Sequence, residues 1–260
     1  MRIGACKGEW SRTRRECATL DPMLSFIVPA HNEEASIGAV VAAIAAAAGE
    51  AGAAHEIVVV DDASTDATAE RAAGAGARVV PVACRQIAAT RNAGARDARG
   101  DVFVFVDADT LIGTDVVSGL MRAMASGAVG GGAAIRFDEP VPRWVKWMLP
   151  AFLWLFRRLR FTGGCFLFSS RAAFEAVGGF DETLYASEEL TLCRVLRTQG
   201  ELVILRESVL TSGRKVRTYS GWELLRGALR IALAGRAGVQ DRSRLDIWYA
   251  PRRPDPTQPP

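Results

Sequence analysis

Short apolar runs recur through the first half of the chain, and stretches of helical period separate them. Leu24 to Val28 is an apolar run closed by Pro29; Glu56 to Val60, Arg78 to Val82 and Val102 to Val106 follow. Runs of roughly 4–8 residues rich in Val, Ile and Phe, bounded by polar residues, read as strands buried on both faces. Between and after them, Glu33 to Ala48, Asp66 to Ala73, Ile87 to Ala98 and Thr114 to Ala125 read as helices, with Ser64 or Thr65 near the cap of the second. Strands alternating with helices predict an α/β fold: a Rossmann-like, mainly parallel central sheet with helices on both faces.

The second half is less regular. Ala128 to Phe137, Cys165 to Ser169 and Leu202 to Leu205 read as strands. Arg171 to Val177, Glu188 to Thr198 and Gly221 to Ala234 read as helices.

In parallel sheets, ligands bind beyond the carboxyl ends of the strands. The polar clusters fall there: His31-Asn32-Glu33 after the first run, Asp61-Asp62 after the second, Arg85 after the third and Asp107-Ala108-Asp109 after the fourth. Alternate strand residues share a face, so Asp107 and Asp109 point the same way if the extension continues. Hard carboxylate oxygens suit Mn²⁺ or Mg²⁺, which takes one or two protein carboxylates and leaves room for substrate phosphates. The competing reading is a strand ending in a polar turn, where Asp is common. The first turn reads Pro29-Ala30-His31-Asn32-Glu33-Glu34. It lacks the glycines of a dinucleotide fingerprint, and no Walker loop occurs, which disfavours nicotinamide, flavin and P-loop chemistry.

Composition narrows the class without changing the fold. The 260 residues, nearly half hydrophobic, can bury a large core, and a net charge of +3 is too balanced to indicate nucleic acid as a partner. Five cysteines, odd in number and without metal or disulfide spacing, fit a reducing, cytoplasmic setting. Residues 1–22 show no period and no apolar signal stretch; they read as a disordered extension ahead of a domain spanning 23–250. The Pro-rich tail 251–260 reads as disordered. Within the domain, 23–110 is the expected first half and 111–250 the second.

An ordered set of pieces resembles the inverting family 2 glycosyltransferases of GT-A fold. In chain order they are Val28-Pro29-Ala30-His31-Asn32-Glu33, Val60-Asp61-Asp62-Ala63-Ser64-Thr65-Asp66, Arg91-Asn92-Ala93-Gly94 with Ala98-Arg99-Gly100-Asp101, Asp107-Ala108-Asp109, Gly178-Gly179-Phe180-Asp181-Glu182 and Glu188-Glu189. The resemblance covers roughly Leu24 to Leu205. It implies a nucleotide-sugar donor (a UDP-sugar foremost), a divalent metal and transfer with inversion to an acceptor whose identity the residues do not give.

The resemblance also implies roles. Pro29, Glu33 and Asp62, with Asp61 helping, would hold base and ribose; capping the next helix is the other reading of the two aspartates. Arg85 or Arg91 would lie near the diphosphate. Asp109 would hold the metal, with Asp107 nearer the ribose or the metal's water. In the family a Glu-Asp pair opens a helix and carries the base; here the pair is Glu188-Glu189, and its second position points to Glu189. Gly163-Gly164-Cys165 would form a close-approach segment beside donor and acceptor. Asn92 and Gly94 would fix local geometry, and Gly178 to Glu182 would present the following acid.

Two departures are informative. The only histidines, His31 and His55, are early, so the late histidine that many relatives supply to the metal is missing; Arg214 and Lys215 would meet the phosphates with their cations instead. The Gln-x-x-Arg-Trp signature of processive relatives is absent, which favours single-sugar addition. A sugar nucleotidyltransferase would need a Gly-rich, Lys- or Arg-bearing loop after the first strand, and none is present. A non-catalytic binding protein is the other alternative, and it would have lost the metal acids or the base.

Arg143 to Arg160 packs Trp144, Trp147 and Trp154 among Leu and Phe between cations. It is too short to span a bilayer, and Pro150 would kink it. Two readings stay open: a peripheral contact with the inner face of a membrane, which would make a lipid-linked acceptor attractive, or burial against the domain or a homodimer partner.

Overall fold

The computed structural model describes residues 22–242 and Leu245. The expected disordered segments, 1–22 and 251–260, lie outside them except for residue 22. Eight strands form one sheet: β1 (Leu24–Ala30), β2 (His55–Asp62), β3 (Arg78–Val82), β4 (Val102–Val106), β5 (Thr110–Leu111), β6 (Gly130–Phe137), β7 (Phe166–Ser170) and β8 (Leu202–Thr211). Around it lie α1 (Ile37–Glu50), α2 (Thr68–Gly74), α3 (Ile87–Asp97), α4 (Thr114–Ala125), α5 (Arg143–Leu159), α6 (Arg171–Ala176), α7 (Glu188–Leu196), α8 (Arg214–Thr218) and α9 (Gly221–Gln240).

Sheet order is β3-β2-β1-β4-β7-β6-β8-β5. The first four strands pair in parallel, as the alternating pattern predicts. β7 runs antiparallel to both β4 and β6, and β8 is parallel to β6. From β1 the sheet grows through β2 and β3 on one side and through β4 on the other, so a topological switch point lies between β1 and β4. Their register ends at Ile27 opposite Phe105. Pro29 therefore sits beyond the last β4 pair, which is why a residue with no N–H is tolerated in an interior strand.

Both faces are covered. On one, Phe26, Val28, Val104 and Val106 pack with Val40, Val41 and Ile44 of α1 and Leu120 of α4. On the other, Ile27, Val60, Phe103 and Phe105 pack with Ala88 and Ala95 of α3 and with Phe174 and Phe180. Phe105 meets Phe180 edge-on at 4.9 Å between ring centroids. Each such fully buried ring is worth about 1.5–3 kcal/mol.

Two boundaries depart from the sequence pattern. α1 begins at Ile37 rather than Glu33, because the Glu33 and Glu34 N–H groups donate to the Thr68 hydroxyl (2.8 Å) and the Asp66 carboxylate (3.2 Å) of the neighbouring loop. β8 runs on from Leu205 to Thr211; an irregularity opposite Gly132–Ala134 absorbs the polar Arg206-Glu207 step that hides the continuation.

Candidate functional site

The loops after β1 and β2 are stitched together. The Asn32 N–H donates to Ser64 Oγ (3.0 Å), the Thr65 N–H to Asn32 Oδ1 (2.8 Å) and the Ala67 N–H to Glu34 Oε2 (3.1 Å). Ser64 and Thr65 do not cap α2, whose N-cap is Ala67 with no side-chain bond. Their hydroxyl and amide are spent on Asn32, a tertiary partner that local capping rules do not see. Asn32, Ala63 and Arg85 hold left-handed backbone (φ 53°, 55° and 52°). Three such non-glycine residues on one rim are strain the surrounding bonds must hold, a pattern common at ligand sites.

Asp61 and Asp62 are buried and, as strand neighbours, face opposite sides. Asp61 accepts from the Ser64 N–H at 3.3 Å, a bond within the turn, and neither aspartate caps α2, whose N-cap is Ala67. Asp62 accepts the Arg85 N–H and the Thr90 hydroxyl, each at 2.8 Å. The Asp62 carbonyl lies 2.8 Å from His31 Nδ1, and Arg85 Nη1 lies 2.9 Å from His31 Nε2. The tautomer that satisfies both donates from Nδ1 and accepts at Nε2. The Arg85 cation is thus parked, exposed, at the β1–β2 end. Pro29 is buried within its strand and presents no surface to a ligand; it shapes the rim from below.

The Asp-x-Asp pair sits on a turn, not on continued strand. β4 ends at Val106, and the Thr110 N–H donates to the Asp107 carbonyl at 3.0 Å. β5 then pairs Thr110 with Thr211 of β8, and the Thr211 hydroxyl stands 3.5 Å from Asp109 Oδ1. This pairing carries the end of β8, and so α8, to the rim. The Asp109 carboxyl is pushed up to about 6 by burial and by the negative charges of Asp107 and Glu33, while Lys215 and Arg214 pull the other way. The loops at the switch point therefore converge: Glu33 after β1, Asp107 and Asp109 after β4, and Arg214 and Lys215 of α8. The buried guanidinium of Arg217 anchors α8 by clasping Asp138 Oδ1 at 2.7 Å, just past the end of β6.

A divalent cation fits this donor set. Asp109 is half-buried and crowded by two further acids, so a hard cation would relieve the repulsion that raises it. Among the described residues no group of three His, Cys, Asp or Glu side chains is placed to hold a metal by itself. Asp107 and Asp109 would supply protein oxygens and leave the remaining positions to phosphate and water, as Mg²⁺ favours.

Arg91 does not reach toward a diphosphate. Its side chain is 3% exposed and both terminal nitrogens are engaged by protein: Nη1 bonds Glu188 Oε1, and Nη2 bonds both Asp107 Oδ1 and the Gly164 carbonyl, all at 2.8 Å. Its Nε is buried without a hydrogen-bond partner. Burial lowers the basicity of this guanidinium, but Asp107, Glu188 and Glu189 outweigh burial and raise it. Acids distant in sequence, not a ligand, decide where this cation sits.

Glu188 and Glu189 open α7 behind Ser187, itself left-handed at φ 61°. Glu188 is buried against Arg91, and Glu189 borders Gly164, where an added Cβ would come within 3.4 Å of its carboxylate. The Glu189 carboxyl is pushed up to about 8, first by burial and then by the charge and hydrogen bond of Glu188, with Arg91 opposing. Such a carboxyl is poised near neutral pH, as a proton acceptor should be. A Cβ on Gly163 would meet the terminal methyl of Ile135, an end that can move aside, and one on Gly164 would make ordinary contact with Glu189.

Supporting residues behave as the pattern suggests. Asn92 Nδ2 donates to the Phe180 carbonyl and its Oδ1 accepts the Phe180 N–H, each at 2.9 Å. Gly178 and Gly179 are left-handed (φ 81° and 76°), and a Cβ on Gly179 would lie 2.7 Å from Asn92 Oδ1. Gln86, unnoticed in the sequence, donates to the carbonyls of Glu182 (2.5 Å) and Leu184 (2.9 Å). Thr211 opens the late segment that carries Arg214 and Lys215, but its contact with Asp109 has no signal in the sequence beyond a polar residue ending an apolar run.

Against known proteins, a family model described as "Glycosyl transferase family 2" matches residues 25–178. The "Undecaprenyl-phosphate 4-deoxy-4-formamido-L-arabinose transferase" of Pseudomonas aeruginosa is 36% identical over 132 residues, which are 47% of this chain and 39% of that protein's length. The mannosyltransferase PcManGT from Pyrobaculum calidifontis, solved with GDP-Man and Mn²⁺, superposes with a TM-score of 0.63 at 21% identity, over 85% of this chain and 64% of that one. The glucosyl-3-phosphoglycerate synthase from Mycobacterium tuberculosis, solved with Mn²⁺, UDP and glucosyl-3-phosphoglycerate, gives a TM-score of 0.55 at 22% identity, over 85% and 81%.

Proposed function

This chain belongs to glycosyl transferase family 2, and from that premise we propose that it is a metal-dependent, inverting, non-processive glycosyltransferase taking a nucleotide sugar, foremost a UDP-sugar. The observation that carries the reading is the placement of Arg91, which joins Asp107 on the rim to Glu188 beside a carboxyl raised to about 8. Acids fit for a cation and an acid fit for a proton thus stand on either side of one buried guanidinium.

The division of labour follows. Asp62, Glu33 and Asp61 line the base and ribose end, with Arg85 exposed beside them. Asp109 and Asp107 would hold Mn²⁺ or Mg²⁺, which when bound neutralises charge on the departing diphosphate. Arg214 and Lys215 add positive charge on the same side. The acceptor oxygen forms its bond to the anomeric carbon as the bond from that carbon to the diphosphate oxygen breaks. Glu189 takes the acceptor's proton; Arg91 holds Glu188 in place, and the charge of Glu188 keeps Glu189 basic. The complexes of the solved relatives with Mn²⁺, UDP or GDP-Man support the metal and the donor class. The undecaprenyl-phosphate relative supports a lipid-linked acceptor and a peripheral membrane setting.

The test is a panel of UDP- and GDP-sugars scored for thermal stabilisation and for sugar release, with and without Mn²⁺. One donor should stabilise the protein only with metal and be turned over. Stabilisation without turnover across the panel and a range of lipid acceptors would favour a binding protein instead.

A further inference from the structure

We propose that α5 and α9 together form a docking face for an anionic lipid bilayer. On α5, Trp147 is 83% exposed and Trp154 67% exposed, with Met148, Phe152 and Leu155 beside them. Trp147, Trp154 and Leu155 recur at seven- and eight-residue spacing and so share one side of the helix. On α9, Trp222 is 60% exposed and is followed on the same side by Leu225 and Leu229. The two helices meet at their starts, where a side chain at residue 221 would touch the Trp144 indole at 3.3 Å.

Charge selects the occupant. α5 carries Arg143, Lys146, Arg157 and Arg158 and no acid. A second copy seated isologously would oppose cations with cations, whereas an anionic bilayer supplies the opposite sign. Seventeen residues of helix reach about 26 Å, short of the roughly 30 Å hydrocarbon core. No helix among the described residues is long and apolar enough to cross a membrane. Indole rings beside cations suit a helix lying in the interface. Beneath α5, Ile135, Phe152, Leu153, Arg157 and Gly163 line a small cavity of about 20 Å³. Gly163 adjoins the Gly164 that borders Glu189, so α5 and the glycine segment lie on one side of the domain, where, on the transferase reading, a lipid-borne acceptor would arrive.

The experiment is vesicle flotation of the full chain and of the double variant Trp147→Glu/Trp154→Glu. Phosphatidylglycerol–phosphatidylcholine vesicles are compared with phosphatidylcholine alone, at low and high salt. The wild type should float with the anionic vesicles at low salt and be released by salt. The variant's partitioning should fall about tenfold or more, while its metal-dependent stabilisation by the donor stays unchanged. Flotation by a protein that binds no nucleotide sugar would uphold the docking face and overturn only the transferase reading. A wild type left at the bottom of the low-salt anionic gradient, or a variant that floats equally well, overturns the proposal. So does a dimer that the variant converts to monomer without any flotation of the wild type.

Discussion

The rim built by the loops after β1 and β2 and the face built by α5 and α9 are opposites in construction. On the rim nearly every turn residue is held by a partner some thirty positions away, as in Asn32 with Ser64 and Thr65, or Glu33 with Thr68. On the helical face Trp147, Trp154 and Trp222 point outward, and Trp144 lies over Gly221. A small, polar, charged ligand needs groups fixed in advance, because each unsatisfied donor or acceptor is costly. A soft surface asks only for apolar area and the right charge sign. The first region is therefore expected to be intolerant of change and the second tolerant, and graded substitutions separate them.

The largest effect belongs to Asp109→Ala, which should remove measurable transfer and metal-dependent donor binding together. The loss of several kcal/mol of charge stabilisation corresponds to about a thousandfold or more in rate. Retained metal-dependent donor binding, followed by calorimetry, would move the metal elsewhere. Next, Glu189→Gln should lower turnover by about 10²–10⁴-fold with donor affinity nearly intact.

The same residue makes a prediction about pH. Its folded value of about 8 lies above the ordinary 4.5. Below 4.5 both folded and unfolded chains carry the proton, and its contribution is fully present. As pH climbs toward 8 the unfolded chain ionises while the folded one does not, so that contribution is lost. Glu189→Gln should therefore melt higher than wild type at pH 7.5 and equally at pH 4. Wild-type turnover should rise with pH along a limb near 8.

Arg91→Met strands Glu188 in a buried position and should cost about 3–5 kcal/mol in urea unfolding. An unchanged midpoint would mean that the bridge is ornamental. Asn32 gives a finer probe: Asn32→Gly loses the bond to Thr65 but keeps the left-handed backbone, for about 1 kcal/mol. Asn32→Ala loses both, for about 2 kcal/mol. The smallest effect is that of Trp147→Glu on stability, within about 0.5 kcal/mol.

What could be read in advance follows the range of the interactions. The sheet of the first half was legible because Leu24–Val28, Glu56–Val60 and Val102–Val106 are short apolar blocks, and the polar clusters ending them lie where parallel strands place ligands. Gly178-Gly179 was legible because positive φ demands it. Arg91 was not: it sits on a helix of ordinary spacing, and its partners lie 16 and 97 residues away. Ser64 and Thr65 satisfied a local capping rule and yet served Asn32. The true length of β8 was hidden by Arg206-Glu207, whose charge suits a turn but whose side chain at Glu207 is answered by Arg122 at 2.6 Å.

One guanidinium answers to an acid at the end of β4 and to another at the start of α7. The segment ending in β4 and the segment opening α7 are thus joined through a residue that neither could keep alone. A chimera replacing the later segment with a foreign one would inherit a stranded ion at the seam unless the incoming piece brought its own counterpart to Glu188. Swapping modules in this chain means transplanting a matched trio, not a single loop.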